Sequence, residues 1–185
     1  KVRAGKSGML WSADTIEAVA DAVERSQIPW VVDPVMVATS GATLLQDTAI
    51  ACYRDRLLPR ATLVTPNLDE AAVLLERRKI ADEDHEEAAR ELADRFSVPF
   101  LVKGGHRSGA LIDVLVMDGE LHRFESDRRS LNTHGSGCAL SAAIAARLGR
   151  GESLGLAVEE GLNYLRRAAR FPILRASETR VLGPI

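Results

Sequence analysis

Apolar positions along this chain follow two patterns, one with the period of a helix and one typical of buried strands. The apolar stripe of an amphipathic helix, spaced i, i+3, i+4, i+7, is formed by Ile16, Val19, Ala20 and Val23. Asp14 and Glu17 are spaced as a capping box at the start of this helix. A short continuous apolar run over 28–32 ends at Asp33-Pro34, which predicts a strand that is buried on both faces.

The same alternation continues to the C-terminal half. Further helices are predicted over 46–58, 69–76, 83–96, 137–148 and 153–170, and further strands over 61–64 and 98–102. Asp118-Gly119 separates two strand-like runs, 111–117 and 120–125, and predicts a β-hairpin. The order predicts an α/β fold in a single domain over 1–185: a doubly wound, mostly parallel sheet with flanking helices and a hairpin toward the C-terminal half.

Ligands of doubly wound sheets bind beyond the carboxyl ends of the strands. Several polar segments lie directly after predicted strands or before predicted helices, namely Asp33, 65–70, 103–106 and the turn at Gly135. We therefore expect these segments to converge on one edge of the sheet.

The turn from Asn132 to Leu140 precedes an alanine-rich helix. Glycines at 135 and 137 allow close approach of the backbone, and a helix N-terminus with free N–H groups suits an anion such as phosphate. Cys138 lies at the start of the same helix, where a cysteine is a candidate proton acceptor or nucleophile. The alternative is a tight loop before a packed helix that carries a buried structural cysteine.

Five segments in order carry a family resemblance. They are Lys6-Ser7-Gly8-Met9-Leu10, Val32-Asp33-Pro34-Val35-Met36-Val37, Thr65-Pro66-Asn67-Leu68-Asp69-Glu70-Ala71, Val102-Lys103-Gly104-Gly105-His106 and the turn over 132–140. Together they resemble the ribokinase-type superfamily, and within it the hydroxymethylpyrimidine and hydroxymethylpyrimidine-phosphate kinases of thiamine biosynthesis. The cysteine that ends Thr-His-Gly-Ser-Gly-Cys is the specific feature, since most sugar kinases of the superfamily have aspartate there.

The resemblance implies an ATP- and Mg²⁺-dependent kinase of a small molecule. Cys138 would be the catalytic base, beside an anion hole formed by the amides of Gly135, Ser136 and Gly137. Contacts with the nucleotide are implied for Lys103, Gly104, Asn67 and Thr133. In a purely structural interpretation, Lys103 is an exposed lysine at a strand end.

Metal and acceptor contacts are implied by the same resemblance. Asp33 and Glu70 are candidates for the hydration shell of Mg²⁺, which prefers few carboxylates and several waters. A turn residue is the alternative for Asp33, and an acid that offsets the helix dipole is the alternative for Glu70. Met9 and Val35, with Cys138, would line the pyrimidine pocket, although core packing is an alternative for Met9 and Val35.

Composition narrows the setting. With a net charge of −2 over 185 residues, the chain has no basic footprint for nucleic acid or an anionic membrane. Two cysteines are too few for a disulfide framework, which indicates a reducing, cytoplasmic location. We expect a small-molecule substrate, no nucleic-acid or membrane partner and a homodimer. We also expect Cys52 to pack in a helix, and His85 and His122 to be solvated.

Three alternative functions remain open. A pyridoxal or pyridoxine kinase shares the cysteine turn, a catalytically silent nucleotide-binding remnant could share the fold, and a thiol hydrolase would pair Cys138 with His134. The family resemblance begins at about Gly5, without the N-terminal strand and the glycine- and alanine-rich loop that form much of the substrate pocket. We therefore expect a fragment of a kinase, or a protein that has lost this function.

Overall fold

A six-stranded sheet organises the computed structural model, which describes residues 1–36, 45, 47–104, 111–126, 135–169, 173–174 and 180–181. Its strands lie in chain order: β1 (Gly5–Ser7), β2 (Trp30–Val32), β3 (Leu63–Val64), β4 (Phe100–Val102), β5 (Leu111–Met117) and β6 (Glu120–Ser126). The first four strands are parallel to one another, and β5 pairs antiparallel with both β4 and β6. A separate antiparallel pair is formed by β7 (Ile173–Leu174) and β8 (Arg180–Val181).

Helices cover both faces of the sheet. They are α1 (Ala13–Ser26), α2 (Asp47–Cys52), α3 (Leu68–Leu74), α4 (His85–Phe96), α5 (Ser136–Leu148) and α6 (Leu154–Ala169). Val32, Val64 and Val102 point into the core shared with α1 and α4, whereas Val31, Leu63 and Leu101 point into the core shared with α5 and α6. Because successive strand residues face opposite sides, these strands carry continuous apolar runs. The predicted doubly wound architecture with flanking helices is confirmed.

The hairpin is confirmed almost residue for residue. Asp118 and Gly119 have φ values of 52° and 77°, as a two-residue turn with both central residues in the left-handed region requires. Strand β1 was not predicted, because Gly5-Lys6-Ser7 has no apolar pattern. Among the described residues it forms an edge of the sheet and pairs with β2.

Local details differ from prediction at two helices. The cap of α1 is Ser12, whose hydroxyl accepts from the N–H of Thr15, so the capping box of Asp14 and Glu17 was wrong. The helix predicted over 46–58 is divided, since α2 continues as a π-helix over Tyr53–Leu57 and a 3₁₀ turn over Leu58–Arg60. Cys52 packs against the core beside α1, as predicted.

The prediction that His85 is solvated was wrong. His85 is 1% exposed, and its Nε2 lies 3.0 Å from the carbonyl oxygen of Val102. The three acidic residues before His85 suggest that α4 begins in solvent. His85 is nevertheless the first residue of α4 and lies on the face of the helix that packs into the core. His122 is half-buried on β6.

Among the helices that the structure describes, we find none that combines the length and apolar character needed to span a membrane.

Candidate active site

Four polar side chains form a row across the carboxyl edge of the parallel strands, on the sheet face covered by α5 and α6. This polar row consists of Asp33, Thr65, Lys103 and Asp113. Each member lies two residues from a buried apolar residue on the same face of its strand, after it in the parallel strands and before it in the antiparallel β5. The apolar row is Val31, Leu63, Leu101 and Leu115. The registers Val32↔Val64 and Val102↔Val114, extended by one residue, place Asp33 beside Thr65 and Lys103 beside Asp113.

Asp33 is the most heavily bonded member of the polar row. Its Oδ1 accepts from Nζ of Lys103 at 2.9 Å and from the hydroxyl of Thr65 at 3.3 Å. Its Oδ2 accepts from the hydroxyl of Ser141 in α5, also at 3.3 Å. The residue is only 1% exposed, so these donors replace the water that an exposed carboxylate would have.

Lys103 is not the exposed strand-end lysine of the structural interpretation, because its side chain is 18% exposed. Burial alone would lower the pKa of Lys103, but the negative charges of Asp33 and Glu70 outweigh it and raise that pKa above its ordinary value. The ammonium group therefore stays charged. It is a fixed positive charge at the sheet edge.

The start of α5 lies directly over this ammonium group. A Cβ atom at Gly137 would lie 3.1 Å from Nζ of Lys103 and 3.7 Å from Oδ2 of Asp33, so only glycine fits without a shift. Gly135 caps the helix with a φ of 85°, in the left-handed region, and offers no side-chain cap. The first N–H groups of α5 and the Lys103 ammonium thus converge, an arrangement that favours a bound anion.

Cys138 is a free and exposed cysteine in the first turn of α5. The alternative of a buried structural cysteine was wrong. Its thiol is open to a ligand bound at the helix start. Thr133 and His134 lie outside the described residues.

Asn67 and Glu70 form a capping box at the start of α3. The Asn67 side chain accepts from the N–H of Glu70 at 2.8 Å, and Oε2 of Glu70 accepts from the N–H of Asn67 at 2.8 Å. The structural role considered for Glu70 is therefore present. Burial raises the pKa of Glu70 to about 7, with the charge of Asp33 adding to the rise and the charge of Lys103 opposing it.

The two carboxylates suit a cation, since Asp33 and Glu70 are 1% and 3% exposed and both lie near the single ammonium of Lys103. Within the part of the chain that the structure describes, no three His, Cys, Asp or Glu side chains group closely enough to hold a metal by themselves. Mg²⁺ in proteins is commonly bound by one or two carboxylates, with water and phosphate as its other ligands.

The two predicted pocket residues differ in burial. Met9 is 57% exposed, so core packing is wrong for Met9. Val35 is half-buried, and its N–H donates to the carbonyl oxygen of Asp33 at 2.9 Å. Both residues follow strands that end at the same sheet edge.

Comparison with known proteins gives a consistent family. The family model described as phosphomethylpyrimidine kinase matches residues 1–180. A hydroxymethylpyrimidine/phosphomethylpyrimidine kinase of Streptomyces coelicolor is 40% identical over 175 residues, which cover 93% of this chain and 65% of the relative. The chain belongs to the phosphomethylpyrimidine kinase family. It spans less than two thirds of the length of the first curated relatives that it matches.

Solved kinases share the fold of this family member. An ADP complex of Bacillus subtilis pyridoxal kinase has a TM-score of 0.86 and 28% identity, over 96% of this chain and 68% of that one. A phosphomethylpyrimidine kinase from Clostridium difficile has a TM-score of 0.76 and 30% identity, over 90% of this chain and 68% of that one. The predicted ribokinase-like fold is confirmed.

Sequence reasoning missed several residues around the candidate site of this kinase-family chain. Ser141 sits in an alanine-rich helix and has no motif around it, although its spacing of four from Gly137 puts both on one helix face. Asp113 is the one charged residue in the apolar strand β5, and this isolated charge could have identified it as a candidate. Thr65 belongs to one of the five segments that carry the family resemblance, but the resemblance implies no role for its hydroxyl.

Proposed function

We propose that this chain is the larger part of an ATP-dependent kinase that phosphorylates the hydroxymethyl group of an aminopyrimidine or its monophosphate. Membership of the phosphomethylpyrimidine kinase family supports the reaction class. The observation that carries the proposal is the packing of Gly137 over Lys103, which brings a helix N-terminus and a buried ammonium to one point.

This geometry supports phosphate binding. The amides of Gly135, Ser136 and Gly137 would donate to phosphate oxygens, and Lys103 would neutralise charge from below. Asp33 keeps the ammonium in place and ionised. The proposed nucleotide contacts also include Gly104, which follows Lys103 in the chain, and Asn67, which forms a β-bridge with Lys103. Thr133 is proposed as a further nucleotide contact.

Cys138 is the proposed general base. As a thiolate, its Sγ takes the proton of the acceptor hydroxyl while that oxygen forms a bond to the γ-phosphorus of ATP. The bond from the γ-phosphorus to the leaving oxygen breaks, and ADP departs with the electron pair. Exposure of Cys138 at the phosphate-binding helix start supports this role. Met9 and Val35 would form apolar walls for the acceptor ring.

Asp33 and Glu70 are the residues that we propose to hold Mg²⁺, at least partly through water. The ion would offset phosphate charge during transfer. The raised pKa of Glu70 supports this role, because a buried carboxylate without enough positive charge around it gains from a cation.

A pyridoxal or pyridoxine kinase is the second candidate. The solved pyridoxal kinase has a higher TM-score than the solved phosphomethylpyrimidine kinase, 0.86 against 0.76. Sequence identity is higher with the S. coelicolor pyrimidine kinase, at 40% against 28% for that pyridoxal kinase. Because side chains set acceptor choice within one fold, we favour the pyrimidine.

The test is a substrate panel on the complete natural protein that contains residues 1–185. ATP turnover is measured with hydroxymethylpyrimidine, its monophosphate, pyridoxal and pyridoxine. We expect transfer to one or both pyrimidines. Turnover of the pyridoxine compounds alone supports the second candidate, and ADP binding without any transfer indicates a catalytically silent remnant. Acylation of Cys138 by ester substrates without phosphoryl transfer would indicate a thiol hydrolase.

We further propose that residues 1–185 belong to one kinase domain and that the protein is a homodimer that works in the cytoplasm. The two cysteines, Cys52 and Cys138, are both free, which suits a reducing compartment. Sedimentation equilibrium of the complete protein measures the subunit number, and a monomer at micromolar concentration contradicts the dimer.

A further inference from the structure

Asp113 is a buried acid that the proposed mechanism does not use. It lies in β5 between apolar neighbours and is 4% exposed. Aspartate is unfavourable in the interior of a strand, and burial of its charge is costly unless it is paired. The hydrogen-bond partners of the Asp113 carboxylate therefore indicate its role.

The carboxylate continues the β4–β5 ladder beyond its last backbone pair. The antiparallel register ends at Val102↔Val114. At the next step Oδ1 of Asp113 accepts from the N–H of Gly104 at 3.0 Å, in the place of a backbone carbonyl. Gly104 is thereby attached to β5 through a side chain.

The backbone of Lys103 is held from the opposite side. The N–H of Lys103 donates to the carbonyl oxygen of Pro66 at 2.8 Å, and Lys103 forms a parallel bridge with Asn67. Lys103 is thus held toward β3 and Gly104 toward β5. A Cβ atom at Gly104 would lie 1.8 Å from the carbonyl oxygen of Ile112, so the backbone approach leaves no room for a side chain.

Charge around Asp113 agrees with this arrangement. The pKa of Asp113 is raised to about 6 by burial, while the Gly104 N–H and the charges of Lys103 and Arg166 act against the rise. The carboxylate therefore contributes to the field at Lys103 as well as fixing the next residue.

We propose that Asp113 is a positioning residue that fixes the backbone of Lys103 and Gly104 for the nucleotide phosphates and so sets the affinity for ATP without affecting acceptor binding. This rests on the proposed function, in which Lys103 and Gly104 contact ATP.

The test compares Asp113→Leu, which keeps the side-chain shape without an acceptor, with Asp113→Asn, which keeps an acceptor oxygen. Leu115→Ala is the matched control, because Leu115 is a fully buried member of β5 on the same face. ADP affinity is measured by calorimetry on the complete protein, with KM for ATP, KM for the acceptor and thermal unfolding. If Asp113→Leu fails to fold, Asp113→Ala carries the same expectation.

We expect Asp113→Leu to weaken ADP binding and raise KM for ATP by about tenfold, because the Gly104 N–H loses its partner and the backbone of Lys103 and Gly104 can then shift. Asp113→Asn should stay within about threefold of wild type because its carbonyl oxygen can accept the same hydrogen bond. KM for the acceptor should be unchanged in both variants, and Leu115→Ala should lower only the unfolding temperature.

Three results overturn the inference: unchanged ADP affinity in the folded Leu variant, equal losses in the Leu and Asn variants, or the same loss in Leu115→Ala. A wild-type protein that binds ADP but phosphorylates no pyrimidine overturns the proposed acceptor and leaves this comparison readable. A wild-type protein that binds no ADP overturns the proposed function and this inference together.

Discussion

The apolar row and the polar row lie on the same face of the same strands, two residues apart, and serve different ends. The side chains of Val31, Leu63, Leu101 and Leu115 are fully buried against α5 and α6, in a cluster of apolar residues. In the polar row, Asp33 alone is bonded to three side chains from β3, β4 and α5 regions of the chain. A shift of two residues along each strand therefore separates apolar packing that stabilises the fold from charged groups that suit a phosphate site.

The difference shows where buried charge is accepted. Burying a carboxylate or an ammonium group costs free energy that an apolar side chain does not require. The polar row lies at the sheet edge where the start of α5 approaches Asp33 and Lys103, which is where an anion would bind. We infer that function, rather than stability, accounts for these buried charges, and four predictions examine this.

The largest effect is expected from Lys103→Met, which removes the ammonium and leaves Asp33 buried without it. The free energy of unfolding should fall by about 3 kcal/mol, the usual cost of breaking a buried ion pair from one side. kcat/KM for ATP should also fall by about 10²-fold, because phosphate charge is no longer neutralised. Chemical denaturation and steady-state kinetics measure the two effects.

Two controls sharpen that comparison. Leu101→Ala, on the same strand and in the apolar row, should cost about 2–5 kcal/mol of stability with KM for ATP unchanged. The double variant Asp33→Asn/Lys103→Met should regain stability but not activity, since neither buried group is charged. Recovery of activity in the double variant would argue against phosphate binding by Lys103.

Cys138→Ser is expected to lower kcat by about 10²-fold, the scale for loss of a general base. Serine keeps the shape but its hydroxyl barely ionises near neutral pH. ADP affinity and the unfolding temperature should hardly change, because the thiol is exposed and the backbone amides bind the phosphate. Normal turnover in this variant would remove Cys138 from the mechanism.

A third prediction concerns the pH dependence of stability. The pKa of Asp113 is about 6 in the folded protein against an ordinary value of 3.8, so the folded state holds this proton more tightly than the unfolded state. Stability from this group is present at low pH and lost as the pH rises from about 4 to about 6, by about 3 kcal/mol. The unfolding free energy of wild type relative to Asp113→Asn, measured across this range, should fall accordingly. A constant difference contradicts it.

The smallest effect is expected from Glu70→Gln. The amide oxygen can still accept from the N–H of Asn67, so the cap and the fold should persist. The Mg²⁺ concentration for half-maximal activity should rise by about tenfold, because a carboxylate that would hold the ion is gone. An unchanged magnesium titration would assign Glu70 to capping alone.

Local chemistry determined much of what could be predicted. Asp118-Gly119 specifies a turn with two left-handed residues, so the hairpin was found from two adjacent letters. The apolar runs before Asp33 and Lys103 identified strand ends, and glycines at 135 and 137 identified a helix start suited to an anion. These features depend on residues close together in the chain, and the ordered motifs added the family.

Tertiary structure decided which of these groups meet. Lys103 and Asp33 are 70 residues apart, and Ser141 and Asp33 are 108 apart, yet each pair is in hydrogen-bond contact. Those contacts depend on strand order, on register and on the side of the sheet that α5 covers, none of which is encoded in local periodicity. The burial of His85 and the attachment of Gly104 to Asp113 have the same origin, since a helix face or a strand residue acquires its partners only when another element packs against it.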